Sequence, residues 1–132
     1  MTKWLNSLQP FGALLMRLAL GVSMAVHGYG KVIPHGALNH YTHYIGSLGI
    51  PHWLGYVSAS TEFFGGILLI LGLITRLAAA LIAINMLVAF AFVGIHQGFG
   101  VYNYILALAA LAIMLTFYGA GSFSLDRKLG FA

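Results

Sequence analysis

Four long apolar runs, at residues 11–32, 53–74, 77–95 and 102–117, alternate with short polar connections along this chain. Each approaches the ~20 residues that a helix needs to cross the hydrocarbon layer. None shows the two-residue alternation of a barrel strand, and backbone in lipid must satisfy its own hydrogen bonds, so the runs predict helices. The fold class is therefore all-α: a polytopic membrane protein built as an antiparallel four-transmembrane-helix bundle. The longest connection covers residues 33–52, where Leu38, Tyr41, Ile45 and Leu48 share one face. That spacing predicts a short interfacial helix in the first loop. The connection near Thr75 and Arg76 is tight, which makes the second and third helices antiparallel neighbours. Beyond Gly119-Ala120-Gly121 the chain reads as a polar tail. Residues 1–132 form a single domain with no repeat or linker.

Composition sharpens this picture. Hydrophobic residues make up 61% of the chain and charged residues 6%, well outside the range of soluble domains. Lys3, Arg76, Arg127 and Lys128 fall on one side of the predicted membrane, and the opposite side has only Lys31. The excess of basic residues predicts that both termini are cytoplasmic. The net charge of +4 thus reads as topology and contact with anionic lipid. Scattered basic residues do not form a nucleic-acid surface. The chain has no cysteine, which excludes thiol–disulfide exchange and thiolate metal sites. Arg17 interrupts the first run and His27 to Lys31 occupy the place where a small-residue cleavage site would stand, so this run is expected to stay as a helix.

Helical projection then assigns faces. At 100° per residue, Arg17, Gly21, Met24, Gly28 and Lys31 lie close to one line on the first helix. Ser58, Glu62, Gly66 and Leu69 do so on the second, and Asn85, Ala89, Phe92 and His96 on the third. Asn103, Ala107, Ala110 and Met114 align on the fourth. These small or polar faces are expected to line the interior, with Leu, Ile, Ala and Phe facing lipid. Glu62 and Asp126 are the only two acids, and Glu62 falls inside a membrane span. A carboxylate at that depth is costly and is by default functional.

Depth suggests its partners. Glu62 is ~13 Å below the outer end of its helix and Arg17 ~9 Å above the inner end of the first, so extended side chains could meet. His27 and Lys31 approach from the outer side. Glu62 and His27 are the candidate catalytic pair, as a proton relay. Arg17, Lys31, Asn85, His96 and Asn103 are the candidate ligand-binding residues. The alternative is structural: buried polar groups fix helix register, and Arg17 snorkels to headgroups. All six histidines, His27, His35, His40, His43, His52 and His96, belong to the outer half. His27 with His96 is a conceivable haem pair and His40 with His43 a weak metal pair. The spacing is unspecific and no loop carboxylate completes a site, so haem is not favoured and no metal is expected. The tryptophans and tyrosines read as interfacial belts.

The run R17LALGVSMAVHGYGK31, then E62FFGGILLILGLITR76, His96 and finally G119AGSFSLD126 resembles the DoxX family of small four-helix membrane proteins. The similarity spans nearly the whole chain. Many members carry a second acid at the start of the fourth helix, where this chain has Asn103, so a mechanism needing two intramembrane carboxylates lacks its second acid here. The resemblance implies the bacterial inner membrane, a redox assembly and a quinone, since members include a subunit of thiosulfate:quinone oxidoreductase.

Three functions are expected from these residues and this resemblance. In the first, the chain is a redox-complex subunit that places a quinone-like ligand near Arg17, His27, Lys31 and Glu62, with electrons from a membrane or peripheral redox partner. In the second it is a non-enzymatic adaptor or assembly protein whose polar core only holds the bundle together. In the third it is a small-molecule or ion transporter with Glu62 as the coupling site. Membrane lipids are partners in each, and the apolar faces permit a homo-oligomer.

Overall fold

The computed structural model describes residues 2–131. A short helix α1 (Thr2–Ser7) leads into α2 (Gln9–Val32), whose start is set by Pro10 in its first turn. The interfacial helix α3 (Ala37–Ser47) comes next. Helix α4 (Leu54–Leu71) runs back and stops at Gly72, which takes the left-handed conformation that a helix end needs. Helix α5 (Thr75–Ala89) passes through a π turn at Phe90–Gly94 into α6 (Ile95–Gln97), and this unit spans as one. Helix α7 (Phe99–Tyr118) returns, and α8 (Leu125–Leu129) closes the chain. Four of these units are long and apolar enough to cross a membrane, as the runs in the sequence predict.

Small residues let the helices approach. A β-carbon on Gly21 would lie 2.8 Å from the Gly66 carbonyl oxygen, and one on Gly66 would lie 2.5 Å from the Ala25 nitrogen. Side chains cannot intervene at such spacing, so α2 and α4 meet backbone to backbone. Helix α5 packs on α4 and α7, and α7 touches α2 to complete the bundle. The core is Leu20, Met24, Leu69, Ile82, Met86, Ile105 and Leu115, interleaved with Ala78, Ala79, Ala83, Ala109 and Ala112. Gly66→Ala is expected to push α2 off α4 and cost roughly 2 kcal/mol. Its thermal midpoint in detergent should fall below that of Gly12→Ala, since nothing lies within 4 Å of a β-carbon at Gly12.

The inner faces of α2 and α4 are those read from the sequence: Arg17, Gly21, Met24, Gly28, Glu62, Gly66 and Leu69 are all buried. The other two faces need correction. On α7 the buried line is Ile105, Ala109, Ala112 and Leu115, so Asn103, Ala107, Ala110 and Met114 face outward. Almost every residue of α7 is small or apolar, and the single Asn misdirects the projection. On the third span the π turn inserts an extra residue, which rotates the rest of the span by about 100°. Phe92 and His96 therefore lie outside although Asn85 does not. In place of a polar tail, residues 119–131 fold back and α8 packs under the α4–α5 turn.

That turn is held from across the chain. Asp126 is buried; its Oδ1 accepts from the Ile74 amide at 2.7 Å and its Oδ2 from the Thr75 amide at 2.9 Å. Its own amide donates to the Gly72 carbonyl at 2.9 Å. Ile74 is left-handed, at φ 42°, a conformation that is costly for a β-branched residue. The first-turn amides of α5 have no Ser, Thr, Asp or Asn before them, and Asp126 supplies the missing cap.

Candidate functional site

Glu62 stands eight residues into α4, about 12 Å from that helix's start. Gly65 and Gly66 come just after it on the same helix, and Ala59 precedes, so the carboxylate is bordered by residues too small to crowd it. Its partner is Lys31, from the last turn of α2. The Lys31 Nζ donates to Oε1 at 2.9 Å and to Oε2 at 2.7 Å. The two ends of this ion pair differ in access: the Glu62 side chain is 4% exposed and that of Lys31 28%.

Asn85, from α5, donates its amide to Glu62 Oε1 at 3.0 Å. Its Oδ1 then accepts from Ser58 Oγ at 2.6 Å, and Ser58 is 2.9 Å from the hydroxyl of Tyr41 on α3. Because the Ser58 proton is committed to Asn85, the Tyr41 hydroxyl donates to Ser58. The hydrogen bonds thus run one way, Tyr41 to Ser58 to Asn85 to Glu62, and end on the carboxylate. This polarity is set by the pairing, which also fixes the orientation of the Asn85 amide. The Lys31 ammonium lies 4.4 Å from the centre of the Tyr41 ring, on which it stacks as a cation. One cluster therefore ties together α2, α3, α4 and α5.

Arg17 is not a partner of Glu62. It lies fourteen residues before Lys31 on α2, about 21 Å along the axis. Its guanidinium instead gathers carbonyls at the end of the bundle that carries both termini. The Nε donates to Leu69 at 2.9 Å, and one terminal nitrogen donates to Ala120 at 2.8 Å and Phe123 at 2.9 Å. The other reaches Ile70 at 3.4 Å. Leu69 and Ile70 belong to the last turn of α4, whose carbonyls lack partners in their own helix and attract a cation. Arg17 is 1% exposed, so it does not snorkel to headgroups either.

His27 also stays apart. It is about 80° round α2 from the line of Arg17 and Gly28. It is exposed, with Nδ1 2.6 Å from the Ser23 carbonyl. His96 is exposed as well, and Asn103 donates to the Phe99 and Gly100 carbonyls of its own helix at 2.7 and 3.0 Å. Of the candidate residues the structure gathers Glu62, Lys31 and Asn85. It adds Tyr41 and Ser58, of which Ser58 was legible on the Glu62 line and Tyr41 as part of the apolar face of the interfacial helix.

Two grooves are prominent, and neither reaches Glu62. One, of about 380 Å³, is lined by Val32, Ile33, Pro34, His35, Gly36, Leu38, Asn39 and Tyr56, and so starts one residue after Lys31 in the chain. The other, of about 220 Å³, lies at the opposite end of the bundle among Arg76, Tyr118, residues 119–122, Asp126, Arg127 and Phe131.

Fold and site together define a four-span helical membrane protein with a carboxylate–ammonium pair bridging its first two spans. The family model for DoxX matches residues 12–96, and the chain belongs to that family. It is similar to the Bacillus subtilis (strain 168) protein named "Putative oxidoreductase CatD", with 30% identity over 115 residues, 85% of this chain and 84% of the relative. It is also similar to "Inner membrane protein YqjF" of Escherichia coli (strain K12), at 26% identity over 132 residues, covering 95% and 97% of the two chains. No solved structure matches.

Proposed function

We propose that this chain is the membrane subunit of a redox assembly in the bacterial inner membrane, with cytoplasmic termini, and that it receives the polar head of a quinone-like molecule at the Lys31 flank of the Glu62 cluster. The observation that carries this reading is the unequal access to the ion pair: the carboxylate is sealed, while the ammonium that holds it is partly open. A relative named as an oxidoreductase supports the redox assignment.

At Glu62 itself the donors and acceptors of the cluster are engaged with one another, which favours a position beside the cluster. The groove at the end of α2 has apolar walls from Val32, Ile33, Pro34 and Leu38. His35, Asn39 and Tyr56 provide its polar groups, a composition suited to a flat amphipathic head. A quinone, when bound, supplies two-electron acceptance, and the electrons come from a partner protein. The chain's own part is to bind and orient: Lys31 donates toward a carbonyl at the flank, and Glu62 holds Lys31 in place.

A second reading is favoured by the closure of the cluster. A self-satisfied polar core that ties four helices together also suits a non-enzymatic adaptor. Extraction separates the two. Purified in nanodiscs, the wild-type protein is expected to retain quinone measurable by mass spectrometry, and Glu62→Gln less than a tenth as much at equal folded yield. Wild type without quinone, and a variant that loses only partner recovery, would establish the adaptor.

A further inference from the structure

The groove at the terminal end of the bundle has no part in the site above, and its charges are unbalanced. Arg76 and Arg127 line it from the start of α5 and from α8. Neither makes a side-chain hydrogen bond or ion pair within the described residues, and both are exposed. Among the described residues no carboxylate pairs with them, because the two acidic side chains are occupied elsewhere. Glu62 is held by Lys31, and Asp126, although it borders the groove, has both oxygens turned onto the Ile74 and Thr75 amides and lies near Arg17.

Further donors face the same space. The amides of Ala120, Gly121 and Ser122 have no acceptor among the described residues, and the Ser122 and Tyr118 side chains stand beside them. The Arg76 guanidinium lies directly over Gly119, where a β-carbon would come within 3.1 Å of Nε. Gly119 thus leaves the arginine room to lie flat along the groove. Around the polar floor the surface is apolar: Phe117 is 74% exposed and Phe131 66%.

We propose that this groove binds the phosphate of an anionic phospholipid headgroup, clamped between Arg76 and Arg127, with the acyl chains running over the exposed aromatic rim. Two guanidiniums lining one small polar hollow suit a tetrahedral anion, and planar forks hold phosphate better than ammonium groups do. Basic pockets beside the ends of membrane helices are suited to such headgroups. The apolar rim selects a lipid over a soluble phosphate compound.

The test uses the full chain in detergent, with native mass spectrometry and titrated phosphatidylglycerol or phosphatidylcholine. Wild type is expected to keep one long-lived phosphatidylglycerol adduct. Arg76→Gln/Arg127→Gln should weaken it at least tenfold. Arg76→Lys, which keeps the charge and loses the fork, should weaken it by an intermediate amount at unchanged folded yield. The control Lys3→Gln/Lys128→Gln removes equal charge outside the groove and should leave the adduct intact. Equal retention of the two lipids by wild type, or equal loss in both double variants, overturns the proposal. Saturable binding of inorganic phosphate without lipid preference overturns the lipid assignment in favour of a soluble phosphate compound.

Discussion

Arg17→Met is expected to destabilise the bundle by about 4 kcal/mol, the largest effect of any single change outside the core. The methylene stem fits, but Leu69, Ala120 and Phe123 lose the donor that joins α4 to the segment after α7. The Ala120 carbonyl is buried and is left without a donor, at the full cost of an unpaired group, while the Leu69 carbonyl keeps only the Gly72 amide at 3.1 Å. Arg17→Lys is expected to recover less than half, because one ammonium cannot span acceptors that a planar fork reaches together. Unfolding in detergent, followed by tryptophan fluorescence, gives the numbers. A methionine variant within ~1 kcal/mol of wild type would mean that water or lipid headgroups replace the guanidinium.

The second large effect belongs to the ion pair. Lys31→Met and Glu62→Gln are each expected to cost roughly 3 kcal/mol, the lower part of the range for buried pairs because Lys31 is partly exposed. Lys31→Met leaves a carboxylate buried in the bundle with only Asn85 to meet it. The double variant Lys31→Met/Glu62→Gln is expected to be more stable than Lys31→Met alone, since it removes the stranded charge. A thermodynamic cycle should give a coupling of at least ~1.5 kcal/mol. Strict additivity of the two substitutions would refute the pairing. The Arg17 variants should add independently to all of these, as Arg17 and Lys31 sit about 21 Å apart along α2.

What the sequence revealed depended on contrast. Glu62 and Arg17 stand out because charge is rare between Leu, Gly and Ala, and the helical period puts them on buried faces. The same logic reads Ser58 and Asn85 correctly. It fails where contrast vanishes: α7 is apolar all round, so Asn103 draws the projection outward. It fails again at the π turn, since no residue type marks an inserted residue and His96 is carried to the wrong side. The pairing of Arg17 with Glu62 fails for another reason. Vertical reach alone cannot show that carbonyls at a helix end compete for a guanidinium, and those carbonyls belong to every sequence. Asp126 was the most recoverable loss. Thr75 begins a helix with no capping side chain before it, and the chain has only one spare carboxylate to offer.

The Arg17 clamp also bears on how the protein is made. The guanidinium enters the bilayer with the first span, but two of its acceptors, Ala120 and Phe123, come 103 and 106 residues later. Throughout synthesis of the intervening helices it has at most the end of α4 to lean on. The hydrogen bonding at that end is therefore complete only once the final segment has folded under the α4–α5 turn. A membrane quality-control protease that reads an exposed intramembrane cation would have its signal in unfinished chains and lose it in completed ones.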